Sequence, residues 1–373
     1  MLIINIVGEN HIVALTMAKK YRKGKMIKSY QIWVWTLLVL FSQFFSCSPA
    51  NVTQTSSNDQ DGVIQTIAFG SCSHEYDEQV LWDPIISHQP DLWVWLGDNI
   101  YGDTDSMPLL EAKYEQQNAN LSYQKLKAIT PIIGIWDDHD YGKNDAGKNY
   151  PYKEESRDLM YDFLDIPQDS PLRQKEGAYG AYEYGSKDQK VKVILLDARY
   201  FRDSLQKQDK AYIPNETGTI LGEEQWKWLE KELQNNSAKI TIIGSGIQVL
   251  SKEHNFEKWA NFPYERERLL KLLEENQVNG AIMLSGDRHI AEISKTEVPG
   301  ISHPVYDVTS SGLTHTWKSY RFEPNSYRVG DLIAKLNFGL IHFDWQNDGV
   351  KVNLEIRGEA DSLFLSESFL REF

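Results

Sequence analysis

The chain has 373 residues, with 53 Asp and Glu against 39 Lys and Arg, giving a formal charge of −14. That length holds one large catalytic domain or two small ones, and the two cysteines, Cys47 and Cys72, argue against a disulfide framework. The acidic balance offers no basic field to displace phosphate counterions, which speaks against nucleic acid as the main partner. It leaves small phosphate esters open, because bound cations reverse the local sign.

Residues 18–30 are strongly basic and precede the apolar run IWVWTLLVLFSQFF and then Ser46-Cys47-Ser48. That order predicts an export signal over 1–47, with Met17 or Met26 as alternative starts. The run is shorter than the ~20 apolar residues of a spanning helix. FFSC resembles a bacterial lipoprotein box with Cys47 as the lipidated residue, so the expectation is an exported periplasmic or outer-membrane lipoprotein. Its only membrane contact would be the lipid, and a monomer is expected. Residues 48–62 are small and polar, a flexible linker. A single catalytic domain is expected over 63–373.

Short apolar runs ended by Gly or Asp predict strands at 64–70, 92–97, 131–136, 191–197, 239–244, 280–285, 304–309, 332–343 and 350–357. Helical patterns fall at 106–128, 222–236 and 264–277, so strands alternate with helices as in an α/β sandwich. The last two predicted strands flank Gln346-Asn347-Asp348-Gly349, a hairpin signal expected to close a sheet.

Six of the apolar runs carry a metal-capable residue at or just beyond their ends: Cys72, Asp98 with Tyr101, Asp137-Asp138-His139, Gln248, Asp287 with His289, and His315. Strand ends in an open α/β sheet converge on one crevice, so these groups are expected to meet there and hold metal ions. GDNIY places Asp98 directly after a strand, although Gly-Asp-Asn is also ordinary turn chemistry. In WDDHDYGKND, Asp138 and His139 are the expected site members. Asp137 is expected to orient the histidine, and Asn144 to reach metal or phosphate through its amide. Asp287 and His289 form an Asp-x-His pair. Arg288 between them should point away if the segment is extended, with a clamp on substrate phosphate as the alternative if the strand bends, and Glu292 is expected to orient a ligand. Cys72 reads equally as a buried small hydrophobe. Trp259, Phe262, Pro263 and Tyr264 suit either a substrate wall or the core, and His254 is a possible substrate contact.

Taken in order, FGSC, GDNIY, WDDHDYGKND and SGDRH resemble the PhoD-like (alkaline phosphatase D) family of metallophosphatases over about residues 64–357. The resemblance implies a calcineurin-like four-layer α/β sandwich of two mixed sheets flanked by helices. It implies hydrolysis of small phosphate esters by a metal-activated oxygen nucleophile. It further implies Fe(III) held by Cys72, Asp98, Tyr101, Asp287 and His289, and Ca(II) shared by Asp98 and Asp138, with Mn, Zn or Mg as alternatives. His139 would serve the leaving group. A phospholipid-directed diesterase and a non-catalytic phosphate- or metal-binding surface lipoprotein are the rival expectations.

Overall fold

The computed structural model describes residues 62–209, 211–317 and 323–373. The expected signal region with Cys47, and nearly all of the expected linker, lie outside the described residues. Strands in chain order are β1 (Thr66–Gly70), β2 (Leu92–Leu96), β3 (Ile132–Ile135), β4 (Gly180–Tyr184), β5 (Val191–Leu196), β6 (Gln206–Gln208), β7 (Ala211–Ile213) and β8 (Ile240–Ser245). They continue with β9 (Ala281–Ser285), β10 (Ala291–Thr296), β11 (Val305–Ser310), β12 (Arg328–Ile333), β13 (Phe338–Gln346), β14 (Gly349–Arg357) and β15 (Leu363–Glu372). The helices are α1 (Trp82–Ser87), α2 (Met107–Asn118), α3 (Leu121–Lys127), α4 (Asp138–Tyr141), α5 (Lys153–Phe163), α6 (Gly222–Gln234) and α7 (Pro263–Glu275).

Two mixed sheets result. The first runs β15-β14-β13-β1-β2-β3 and the second β12-β10-β11-β9-β8-β5-β4. Each has a parallel centre, β1-β2-β3 in the first and β5-β8-β9-β11 in the second, with antiparallel strands added outside it. Strand alternation explains the layering. In β5, Val191, Val193 and Leu195 join the core that spans both sheets, while Ile194 and Leu196 join a second core with Trp226, Leu229 and Leu233 of α6 and Leu269 and Leu273 of α7. β9 divides the same way, Ile282 and Leu284 against Ala281 and Met283. On β2, Trp93 and Trp95 meet Trp82 of α1 edge-on at 5.2 and 5.5 Å between ring centroids.

Several expectations need correction. The pattern over 106–128 is two helices, because Asn120 accepts the Ser122 and Tyr123 N–H groups at 3.0 Å and starts α3 afresh. The run 332–343 is split between β12 in the second sheet and β13 in the first. The hairpin β13–β14 forms, but β15 pairs outside it and is the true edge. Neither β4, β10 and β15 nor α5 stood out as apolar runs, since each mixes polar and apolar positions. No helix among the described residues is long and apolar enough to cross a membrane.

Candidate metal centre and active site

Three segments that leave the parallel strands bend back at once. Cys72, Asp98, Asp287 and His289 all have left-handed backbone, with φ of 61°, 48°, 67° and 52°. Such conformations disfavour most side chains and concentrate at functional sites. They turn side chains from separate loops toward one point. Gly97 and Gly246 make room there: a Cβ on either would collide with Asp137. Asp140 fastens the loops together. Its carboxylate accepts the backbone N–H of Asp98 at 3.2 Å, of Asn99 at 3.3 Å and of Asp137 at 2.7 Å, and the Asn99 amide at 2.7 Å.

Cys72 Sγ lies 3.3 Å from Asp98 Oδ2 and 3.0 Å from Ser311 Oγ. Tyr101 OH lies 3.4 Å from the same Asp98 oxygen and 2.9 Å from His289 Nε2. The His289 backbone N–H donates to Ser311 Oγ at 2.7 Å, and its Nε2 approaches His315 Nε2 at 3.3 Å. Ligand atoms of Cys72, Asp98 and His289 fall within 4.8 Å of one another, as do those of Asp98, Asp138 and His139, and those of Asp137, Asp138 and Asp287. The structure therefore brings Cys72, Asp98, Tyr101, Asp138, His139, Asp287, His289 and His315 together.

The electrostatics suit a bound cation. Burial pushes the Asp98 carboxyl well above the carboxylate range, with Cys72 adding to it. Asp287 is raised well above its usual value by burial and then by Asp137 and Asp138, and burial pushes the Cys72 thiol up to about 11. Burial also raises Asp138, but Arg199 and His139 outweigh it and leave that carboxyl lowered. Asp138 Oδ1 is buried with no hydrogen-bond partner. Acidic groups crowded and left uncompensated in this way are what a bound cation would satisfy. Among the described residues, sulfur, phenol, imidazole and carboxylate donors converge as a metal shell would require.

Other expected members sit differently. Asp137 does not orient His139. It accepts Arg199 Nε at 2.6 Å, and the histidine's Nδ1 instead meets Asp103 Oδ2 at 2.8 Å. Burial lowers the His139 pKa, yet Asp98 and the Asp103 bond overcome this and lift it to about 11. His289 is driven down to about 3 by burial and by His315 and His139. Asn144 is exposed and gives its backbone N–H to Asp103. Glu292 engages Gln248 and Arg328 rather than a ligand, and Gln248 is thereby tied into the sheet with Thr309. Arg288 does not point away, because the left-handed backbone on both sides cancels strand alternation. Its Nη2 is paired with Glu323 at 2.7 Å. Trp259 and Phe262 are core residues and Tyr264 is exposed, so they form no substrate wall.

Sequence reading missed a buried ion network behind the site. Arg199 Nη1 meets Glu257 Oε2 at 2.6 Å, and Arg202 Nε meets Glu257 Oε1 at 3.0 Å. Both arginines follow β5 in the segment DARYFR, so the strand-end argument used elsewhere would have found them. The site opens into a cavity of about 520 Å³ lined by Asp138, His139, Asp287, His289, Phe256 and Trp317 among others. It shares Asp145, Lys207 and Tyr212 with a neighbouring cavity of about 290 Å³.

The same assembly of elements is found in known proteins. A solved structure of PhoD matches with a TM-score of 0.69 and 17% identity, over 84% of this chain and 70% of that one. A dimetal phosphatase from Danio rerio matches with a TM-score of 0.52 and 13% identity, over 83% of this chain and 100% of that one. These likenesses show the calcineurin-like fold of two mixed sheets flanked by helices. Alkaline phosphatase D of Bacillus subtilis (strain 168) is 23% identical over 297 residues, 67% of this chain, and the chain spans 50% of that relative's length. The PhoD-like phosphatase family model matches residues 67–315, more than half of the sequence and all of the segments that build the site. The chain belongs to the PhoD-like phosphatase family.

Proposed function

We propose that this protein hydrolyses phosphate esters at a metal centre formed by Cys72, Asp98, Tyr101, Asp138, Asp287 and His289. The observation that carries this reading is the shared carboxylate: Asp98 belongs to one group with Cys72 and His289 and to another with Asp138 and His139. The sulfur, phenol, imidazole and carboxylate set around Cys72 suits Fe(III), and the oxygen side around Asp138 suits Ca(II), with Mn, Zn or Mg as alternatives. When bound, such ions supply Lewis acidity toward phosphoryl oxygens and toward water.

The chain's own residues supply the rest. Asp103 holds His139 at Nδ1, which leaves Nε2 as the nitrogen available to the substrate. A protonated ring held this way can give its proton to the departing ester oxygen. Arg199 and Arg202 neutralise Asp137 and Glu257 behind the centre, so the ions need balance only the front carboxylates. The room beside the centre accommodates a second ester substituent, which favours diesters alongside monoesters.

Elemental analysis of native protein, paired with a panel of mono- and diesters, tests this. Hydrolysis by the metal-bearing protein and none by Asp98→Ala is expected. A metal-bearing protein that hydrolyses none of the panel would leave only the surface-binding reading. Export and lipidation at Cys47, with a monomeric mature protein, belong to the same proposal and rest on the order of basic, apolar and small residues before Cys47. Mass spectrometry should find a mature chain that starts at a lipidated Cys47. An unmodified chain retaining residues before Cys47 would overturn that part.

A further inference from the structure

The cavity has two unlike ends. One is the cluster of carboxylates and imidazoles just described. The other is aromatic: Phe256 and Trp317 pack edge to face with ring centroids 4.4 Å apart. Both rings are half-buried and line the cavity beside Asp287 and His289. Each is held from behind. The Trp317 N–H donates to the His289 carbonyl at 3.1 Å. The Phe256 N–H donates to His254 Nδ1 at 3.2 Å, and its carbonyl accepts Lys258 Nζ at 3.0 Å.

Arg288 decides what this wall can accept. Its guanidinium carbon lies 4.2 Å from the Phe256 ring centroid and 5.6 Å from that of Trp317, so the electron-rich faces turned to it already carry a cation. Glu323 fixes the guanidinium through both carboxylate oxygens on Nη2, at 3.1 and 2.7 Å. The side chain is almost fully buried and lines the same cavity. An aromatic pair alone would suit a quaternary ammonium group. An aromatic pair whose faces already carry an arginine leaves them less free for a second cation and favours a flat ring, stacked or set edge-on.

Resting on the phosphoester reading above, we infer that Phe256 and Trp317, backed by Arg288, receive the alcohol group of the ester and select a flat aryl or heteroaromatic ring over a choline-like head group. The wall lies on the same cavity as the ions, so an ester whose phosphorus sits at the metal centre can place its organic group against it. Small alkyl esters would leave the wall uncovered.

The test is calorimetric titration of metal-bearing, full-length protein with phenylphosphonate, methylphosphonate and 2-(trimethylammonio)ethylphosphonate, none of which needs turnover. Phenylphosphonate should bind about tenfold or more tighter than the other two, from ring stacking and apolar burial. Phe256→Leu keeps apolar volume and removes the flat face, and Trp317→Leu does the same on the other side. Either should erase the phenyl preference while methylphosphonate affinity stays as in the wild type. Arg288→Gln should raise affinity for the ammonium compound relative to phenyl. Wild-type protein that binds the ammonium phosphonate as tightly as phenylphosphonate overturns the inference. So does a phenyl preference that survives both leucine variants. Failure of all three compounds to bind would instead count against the phosphoester reading itself, whereas binding of methylphosphonate without any phenyl preference defeats only the aromatic wall.

Discussion

Asp140 touches no proposed ligand atom of the centre, yet its removal should disable the site. In Asp140→Ala three buried backbone N–H groups, those of Asp98, Asn99 and Asp137, lose their acceptor at once. An orphaned buried donor costs about 1–3 kcal/mol. Two of the three bonds are long, at 3.2 and 3.3 Å, and one is short, at 2.7 Å, so about 1 kcal/mol for each long bond and about 2 for the short one sum to about 4 kcal/mol. That is a large part of the roughly 5–15 kcal/mol that holds a typical domain. For a chain of this size it corresponds to a fall in Tm of about 8 °C. Asp140→Asn keeps one carbonyl oxygen as acceptor but turns an NH2 toward the remaining donors, so about half of that loss is expected. Because the Asp98 and Asp137 loops are what Asp140 joins, metal affinity should fall about 10–100-fold in either variant, the usual effect of losing a group that supports ligands. Scanning calorimetry on metal-free protein and metal titration of the same samples measure the two effects separately. An Asp140→Ala protein that melts within about 1 °C of wild type, or binds metal equally well, would refute the reasoning.

Asp98→Ala should abolish turnover and metal binding together, since Asp98 is common to both ligand groups; retention of both in a folded variant would place the chemistry elsewhere. If Cys72 and Tyr101 bind Fe(III) as thiolate and phenolate, the native protein should be coloured, and Tyr101→Phe should lose the visible band measured by absorption. Arg199→Met leaves Asp137 and Glu257 facing each other without their shared cation, which should destabilise the fold by about 3–5 kcal/mol in urea unfolding. Burial, with Arg288 adding to it, lowers the Lys258 pKa to about 8 against an ordinary 10.5. Between those values the unfolded chain binds the proton that the folded chain has released, so this group's contribution to stability rises with pH from about 8 to 10.5 and is lost as pH falls through that window. The Tm difference between wild type and Lys258→Met should therefore move in favour of wild type as pH goes from 8 toward 10; a difference that is flat with pH would contradict it.

The convergence of loops was legible because parallel strands read as short apolar runs and their ends must lie along one edge. Asp98, Asp138, Asp287 and His289 follow from that argument alone. The backbone conformation was not legible. Alternation assigned Arg288 to the opposite face, and it failed because Asp287 and His289 both take positive φ. Partners distant in sequence were equally hidden. Asp103 precedes His139 by 36 residues and Glu257 follows Arg199 by 58, and no local pattern joins such pairs. The aromatic wall was sought around Trp259 and Phe262, which the sequence shows as a cluster. Burial took those rings into the core behind α7, and the exposed task fell to Phe256 and Trp317, which the sequence does not show together.

The left-handed residues at the centre carry a consequence for how this protein could be altered. Glycine at Cys72, Asp98, Asp287 or His289 would sit in those torsions without steric penalty, relaxing a conformation that costs on the order of 1–3 kcal/mol at a non-glycine residue. Deleting a buried side chain ordinarily costs stability, but at these positions relief of backbone strain works the other way. A glycine variant at Asp287 also removes one of the crowded negative charges, so it should fold more firmly when ion-free and be inert as a catalyst. Hardening the scaffold by directed selection for heat resistance alone would thus tend to erase the very loops that form the centre.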